Sequence, residues 1–512
     1  MKEQIPPTLR PDSVLPVSLA SIVAETSIEL ISGQDSVQVT GISMNTGDLR
    51  PGDLFVAMPG LKTHGANFAQ KAIELGALAI VSDKVGLDQI GEVAVPTLRL
   101  EQPRKHLGKL AALVYGNLPA VMPKLFGTTG TNGKTSTSYI LEAMLRQLGE
   151  TTGLTSTAER HIAGEVIVSR LTTPESTEMQ ALIARMREKH VDSVAIEVSA
   201  QALSQLRVDG LHFDVAGFTN LSHDHLDDYR DMEEYLEAKA ELFTPERAHR
   251  GVVCLDSEYA ESFLKLSEIP TVTVSSRAEV PADFNVRVTK ELPGLTHFSV
   301  SLPSGTEIHS SLPIIGAHMA ANAGLAIAML VQAGFAEEHI KEALRDGVDC
   351  YLPGRTELIS PAGAPAVYVD FGHSPDAFLN TLRAVRKVTT GKVLMLFGAD
   401  GDRDATKRPA MAEVAVTNSD ILVITDHHPR FENPDSIRET LVASAKAARP
   451  DAVIYEVSPP EQAIILAVSL VQPGDAILWA GPGHQDYRDI RGVRTPYSAR
   501  ALARQALKDA GW

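Results

Sequence analysis

Apolar positions along this chain come in short runs punctuated by glycine and proline, and two periods alternate. In the first stretch, residues 39–42, 53–57 and 77–81 read as strands and 67–75 as a helix, with breaks at Pro51-Gly52 and Pro59-Gly60. A second unit begins near Pro123. It has a strand at 124–126, a glycine-rich loop, a helix at 135–148, and strands at 193–198, 213–218 and 251–255. Between the last two, Met232, Tyr235, Leu236, Leu242 and Phe243 recur at helical spacing over 231–243. From Tyr351-Leu-Pro-Gly-Arg355 the alternation is regular: strands at 367–369, 393–397, 421–425 and 476–479, helices at 375–388, 410–417 and 434–448. That alternation predicts a mostly parallel sheet with helices on both faces.

At 512 residues the chain exceeds one compact core. The pattern predicts an α/β protein of three domains: 1–120, a central phosphate-loop domain at 121–349, and a Rossmann-like domain at 350–512. The composition, 44% apolar and 22% charged, is that of a globular enzyme. A net charge of −17 argues against bulk attraction to nucleic acid or acidic membranes. Two distant cysteines, Cys254 and Cys350, argue against a disulfide framework or a cysteine metal site. No run reaches the roughly 18 apolar residues of a membrane helix, and Met1-Lys-Glu-Gln-Ile-Pro-Pro lacks a signal-peptide core. The expectation is a cytoplasmic protein.

The chemistry concentrates in Gly127-Thr-Thr-Gly-Thr-Asn-Gly-Lys-Thr135. Glycines 127, 130 and 133 would let the backbone turn and aim N–H groups at phosphate oxygens, and the following helix adds its dipole. Lys134 supplies charge for the β- and γ-phosphates, and the Thr135 hydroxyl suits Mg²⁺. The general pattern wants glycine at 128; this chain has Thr128, with Gly127 one residue earlier. Glu197 ends an apolar strand, where a second metal ligand would be useful. Asn220-Leu-Ser-His-Asp-His-Leu-Asp227 could hold a hard cation or be a polar loop. The helical pattern by itself makes Lys239 a surface lysine.

Taken together, Gly130-Thr-Asn-Gly-Lys-Thr135, Thr172-Thr-Pro174, Glu197-Val-Ser199, Asp224-His-Leu-Asp227, Ala238-Lys239, Pro353-Gly-Arg355, Gly372-His-Ser-Pro375 and Gly401-Asp-Arg-Asp404 resemble the Mur ligases, in order and over nearly the whole chain. Thr172-Thr173, Ser199 with Arg207, Asp426-x-x-Pro-Arg430 and Gly483-His484 are similar to the branch that adds the third residue of the peptidoglycan peptide, the UDP-N-acetylmuramoyl-tripeptide synthetases. The resemblance implies that Thr128, Thr129, Gly130, Thr131, Asn132, Gly133 and Lys134 hold ATP. Asn322 would lie near the adenine and Arg355 near the nucleotide. Two Mg²⁺ ions would be held, one by Thr135 and Glu197, the other by Glu197, His225 and a carbamylated Lys239. An ammonium cannot ligate Mg²⁺, whereas a carbamate is an anionic oxygen donor. Lys134, Glu197, His225 and Lys239 would be the catalytic set. Thr172, Thr173, Ser199 and Arg207 would contact the UDP-N-acetylmuramoyl-dipeptide. Asn45-Thr-Gly47 aligns with the family's Asp-Ser-Arg uridine site, where only the Thr46 hydroxyl matches.

The implied reaction is ATP-dependent ligation through an acyl phosphate by a monomeric enzyme. In the third domain, Asp370 and His373, residues 400–404, residues 426–430, and residues 481–484 each follow a strand, where open parallel sheets bind ligands. Arg403, His427, His428, Arg430, Gly481 and Gln485 are candidates for a pocket receiving a free diamino acid. In the diaminopimelate enzymes the matching motifs are Asp-Asn-Pro-Arg and Gly-Lys-Gly-His-Glu; here they are His427-His-Pro-Arg430 and Gly481-Pro-Gly-His-Gln485. L-Lysine, meso-diaminopimelate and ornithine all stay open. With an ordinary histidine pKa of about 6.5, His427 and His428 would make uptake pH-dependent. Two alternatives stand beside this reading: another Mur or folylpolyglutamate-type ligase, and a non-catalytic nucleotide-dependent regulator on the same scaffold.

Overall fold

The computed structural model describes residues 8–60, 62–223 and 228–512. Among these, the strands form three larger sheets in chain order. The first is five-stranded, in the order Glu29–Ser32, Thr97–Arg99, Ala79–Ser82, Asp53–Ala57, Gly41–Ser43, and parallel except for its first strand.

The central sheet has eleven strands. Its middle is parallel and runs Thr152–Thr155, Ser193–Glu197, Lys124–Thr129, Phe213–Phe218, Ala248–Cys254, Thr271–Ser275 and Phe284–Leu292. Antiparallel strands finish both edges, Glu159–Ile162 and Glu165–Val168 on one side, Leu295–Ser301 and Glu307–Leu312 on the other. The third sheet is six-stranded: Glu357–Leu358, Ala366–Asp370, Ala476–Ala480, Val393–Phe397, Ile421–Ile424, Val453–Glu456, parallel but for the first.

The helix Lys134–Gln147 packs on Ala317–Gln332, whose residues 319–330 are all buried. Ala317–Gln332 is absent from the elements the apolar pattern predicts. It is apolar on every side, so it has no stripe of period 3.6 to find; such a helix belongs inside. The strand at 124–126 continues through Thr129. Residues 127–129 are small or hydroxylated, which hides the apolar run, but their backbones pair with the strands on both sides.

That extension corrects one role. Gly127 does not turn the backbone. It lies in the sheet, where a Cβ would come 2.9 Å from the Phe213 ring, so it is small for packing. No helix among the described residues is long and apolar enough to cross a membrane.

Candidate active site

The strand Lys124–Thr129 ends at Gly130, whose φ of 144° leaves the sheet. Gly133, at φ 86°, caps the helix Lys134–Gln147. A side chain at Gly130 would lie 1.9 Å from Thr219 Oγ1, so only glycine fits. The next strand's end holds the loop from outside. Thr131 N donates to Asn220 O at 2.8 Å, Asn132 N to Asn220 Oδ1 at 3.0 Å, and Thr219 Oγ1 to Asn132 O at 2.6 Å. Lys134 Nζ folds back on the carbonyls of Gly130 and Thr131 at 3.0 and 2.9 Å.

Of the residues assigned to ATP, Thr131 to Thr135, Asn322 and Arg355 line one large cavity. Thr128 and Thr129 do not. They are buried within the strand, and their carbonyls accept from Val198 and Thr219. Gly130 acts through its carbonyl, which Lys134 and Lys239 share.

Glu197 ends the neighbouring strand, 2% exposed. It accepts from Thr135 Oγ1 at 2.9 Å, Thr157 N at 2.8 Å and Thr157 Oγ1 at 3.1 Å. Thr135 Oγ1 in turn accepts from Arg355 Nη2 at 3.1 Å, and that guanidinium stacks over Phe371 at 4.4 Å. Burial lowers the Arg355 pKa from its ordinary value. Lys239, on the helix Met232–Ala240, is 1% exposed, not the surface lysine its spacing suggests. Its Nζ donates to Gly130 O at 2.9 Å and sits 4.1 Å over the Tyr235 ring. A buried carboxylate at a strand end and a hydroxyl in the first turn of the helix Lys134–Gln147 are oxygen donors of the kind a hard cation takes. His225 lies outside the described residues.

On the substrate side, Thr172 and Thr157 share a hydroxyl bond of 2.9 Å. Ser199 caps the short helix Ala200–Ser204. Arg207 Nε pairs with Glu175 at 2.9 Å. Thr172, Ser199 and Arg207 line the cavity. Thr173 does not; it is buried, donates to Glu197 O at 2.8 Å and accepts from Ser199 N at 3.1 Å. In the first unit, Ser43, Asn45 and Asp48 line the cavity, whereas Thr46 stands outside its wall. Asn45 Oδ1 accepts from Gly47 N at 2.9 Å across the turn that holds Thr46.

In the third unit all four strand-end clusters reach the same cavity, of about 1590 Å³, through Asp370 and His373, Asp400 and Arg403, His427, His428 and Arg430, and Gly481 and Gln485. His428 Nδ1 accepts from Asp489 N at 2.9 Å. The proton is therefore on Nε2, which donates to Gln485 Oε1 at 2.8 Å. His427 stacks on His428 at 4.2 Å. Burial pushes its pKa down to about 3, so it is neutral across the physiological range and cannot give the pH-dependent uptake its sequence position suggests. Arg430 Nη1 donates to Gly401 O at 2.9 Å.

Several cavity residues escape the sequence motifs. Thr157 follows the strand Thr152–Thr155, so the same carboxyl-edge rule finds it once that strand is known. Arg170 ties the first unit to the second, through Asp48 at 2.8 Å and Thr8 at 3.0 Å. Asp376 ties the third to the phosphate loop through Asn132 Nδ2 at 3.1 Å. These last contacts are long-range and carry no sequence signal.

Comparison with known proteins agrees with this geometry. The family profile described as Mur ligase middle domain matches residues 128–330, that of the Mur ligase glutamate ligase domain matches 354–483, and that of the Mur ligase family catalytic domain matches 38–115. A UDP-N-acetylmuramyl-tripeptide synthetase of Leifsonia xyli is 50% identical over 509 residues, 99% of each chain. A UDP-N-acetylmuramoyl-L-alanyl-D-glutamate–2,6-diaminopimelate ligase of Streptomyces avermitilis is 39% identical over 98% of each. Among solved structures, a diaminopimelate ligase of the same description is 25% identical, with a TM-score of 0.67 over 97% of this chain and 100% of that one. A folylpolyglutamate synthase of Mycobacterium tuberculosis, 19% identical, shares the fold over 74% of this chain and 92% of its own, at a TM-score of 0.59.

Proposed function

The chain belongs to the Mur ligase family and is an ATP-dependent ligase of peptidoglycan synthesis, and we propose that it joins a diamino acid to UDP-N-acetylmuramoyl-L-alanyl-D-glutamate. The observation that carries this reading is the continuity of the cavity. It runs from Ser43, Asn45 and Asp48, past Lys134, Glu197 and Arg207, to His428 and Arg430. A nucleotide-sugar peptide, ATP and an amino acid can therefore meet in one volume. The division near residues 120 and 350 assigns them in turn to a UDP-muramoyl domain, an ATP domain and an amino-acid domain. We take the enzyme to act as a cytoplasmic monomer.

In this mechanism Lys134 faces the β- and γ-phosphates, and the loop N–H groups and helix N-terminus add to it. Thr172, Ser199 and Arg207 hold the D-glutamate end so that its side-chain carboxylate meets the γ-phosphorus. One carboxylate oxygen forms the new P–O bond as ADP leaves. The incoming amine then attacks the acyl carbon, loses a proton, and inorganic phosphate departs. Thr135 and Glu197, with His225 and Lys239 once it is carbamylated, would hold two Mg²⁺. When bound, these ions neutralise phosphate charge. Arg355 and Asp376 join the third unit to the phosphate loop. That contact shields the acyl phosphate from water.

The test is phosphate release measured with each component omitted in turn. Release that requires ATP, Mg²⁺, the nucleotide dipeptide and a diamino acid together supports the reading. Release without the nucleotide dipeptide, or with a folate in its place, overturns it.

A further inference from the structure

The loop after Val393–Phe397 brings to the cavity wall a carboxylate, Asp400, that accepts no hydrogen bond from the described residues. Asp400 Oδ1 is buried and has no hydrogen-bond partner among the described residues. It lies 3.7 Å from His427 Nε2, while Oδ2 lies 3.7 Å from Arg430 Nη2. The other lining carboxylate of this loop, Asp404, accepts through Oδ1 from Thr406 N at 2.9 Å, and its Oδ2 is buried without a hydrogen-bond partner among the described residues. Burial alone would raise the Asp400 pKa, but the basic groups facing it, of which the Arg430 guanidinium is the one charged throughout, hold it below the usual carboxylate range. Asp400 is therefore an anion on the cavity wall, its side chain 24% exposed, with Oδ1 shielded and Oδ2 accepting no hydrogen bond from the described residues.

This bears on the charges that resemblance finds missing. His427, His428 and Gln485 stand where the diaminopimelate enzymes carry an Asp-Asn pair and a glutamate. The wall has lost acidic partners for a substrate amine, and Asp400 returns a negative charge to it from the neighbouring strand end. We propose that Asp400 receives the protonated, non-reacting amine of the incoming diamino acid, with Arg430 beside it to pair a carboxylate. This rests on the ligase reading above. A divalent cation is the competing occupant, because donor atoms of Asp400, His427 and His428 lie within 4.8 Å of one another. However, both ring nitrogens of His428 are already engaged, and a guanidinium stands 3.7 Å from Asp400. An ammonium needs only one oxygen, and Oδ2 accepts no hydrogen bond from the described residues.

The experiment is calorimetric binding of lysine, ornithine, meso-diaminopimelate and the neutral norvaline to the full chain and to Asp400→Asn. ATP and the nucleotide dipeptide are titrated as controls, and ligation rates are run in parallel. We expect the best-bound diamino acid to weaken about 10- to 100-fold in the variant, as for loss of one charge-assisted bond. Norvaline, ATP and the nucleotide dipeptide should change less than about 2-fold. The best-bound diamino acid also identifies the substrate. Unchanged diamino-acid binding overturns the proposal, as does an equal loss for norvaline. Binding that EDTA abolishes and Zn²⁺ restores assigns the site to a metal and overturns it too. Binding is read without turnover, so a wild type that binds a diamino acid through Asp400 but never ligates it would refute the ligase reading alone.

Discussion

The phosphate loop and the proposed amino-acid pocket open on the same cavity but are built differently. The loop is held mostly through its own backbone groups. Gly130 O takes both Lys134 and Lys239, Asn220 ties Thr131 and Asn132, and Glu197 is met by Thr135 and Thr157. The pocket is assembled from side chains on four strand-end loops, and it leaves polar atoms such as Asp400 Oδ1 and His484 Nδ1 unsatisfied. Backbone geometry survives sequence change and suits the step shared by every substrate. Exchangeable side chains on loops suit the step that decides which amine arrives.

The largest effect expected from this contrast is at the loop. Lys134→Ala should cut kcat by about 10³-fold with every amino acid offered, since it removes charge from the transferring phosphoryl group. Circular dichroism and melting should show an intact fold. A defect that varied with the amino acid would erase the distinction. Arg430→Ala should do the reverse. It should raise KM for the amino acid by about 10- to 100-fold and leave KM for ATP within about 2-fold, because one charged partner of the substrate is lost. Initial rates with each substrate varied in turn check both.

The same contrast explains how much the sequence reveals. The helices Pro375–Val388 and Pro434–Ala448 and the strands Asp53–Ala57, Phe213–Phe218 and Val393–Phe397 occupy the predicted residues, because each has a clear period bounded by breakers. The phosphate loop is legible because contiguous residues make it. Asp400 and Arg170 are not, since their meaning depends on partners 27 and 122 residues away. Lys239 is misplaced for a related reason. The turn that buries a lysine is set by Gly130 and Tyr235 packing over it, which no helical stripe records.

Two histidines, His161 half-buried and His427 buried, put the contrast on a pH axis. His161, beside Glu142 of the loop's helix, would be lowered by burial, but Glu142 and Glu159 raise it to about 9. Its stabilisation is complete below its unfolded pKa of about 6.5 and is lost as pH rises through about 9. His427 has the opposite sign. With a folded pKa of about 3, it takes no proton where the unfolded chain does, so stability falls as pH drops from about 6.5. Melting curves from pH 4 to 10 should lose their alkaline slope in His161→Gln and part of their acid slope in His427→Asn, each on the order of 1–3 kcal/mol. Ligation rate should show no limb from His427 between about pH 6 and 8.5.

The smallest effect on activity is expected at Gly127, three residues before the loop's first turn. If it belonged to the phosphate cradle, Gly127→Ala would raise KM for ATP. In the sheet, the three atoms nearest the added methyl all belong to the Phe213 ring, at 2.9 to 3.3 Å, and Phe213 is buried in the core and does not line the cavity. The expected cost is overpacking, about 1–3 kcal/mol of folding stability, with KM for ATP within about 2-fold for the folded enzyme. Gly130→Ala is the paired control. There a Cβ would collide with Thr219 Oγ1 and disturb the carbonyl that Lys134 and Lys239 share. Denaturant melts and ATP kinetics on both variants should therefore separate a glycine that serves packing from one that serves phosphate. If Gly127→Ala weakened ATP as strongly as Gly130→Ala, the functional loop would begin inside the sheet, and the backbone-built site would be three residues longer than its geometry indicates.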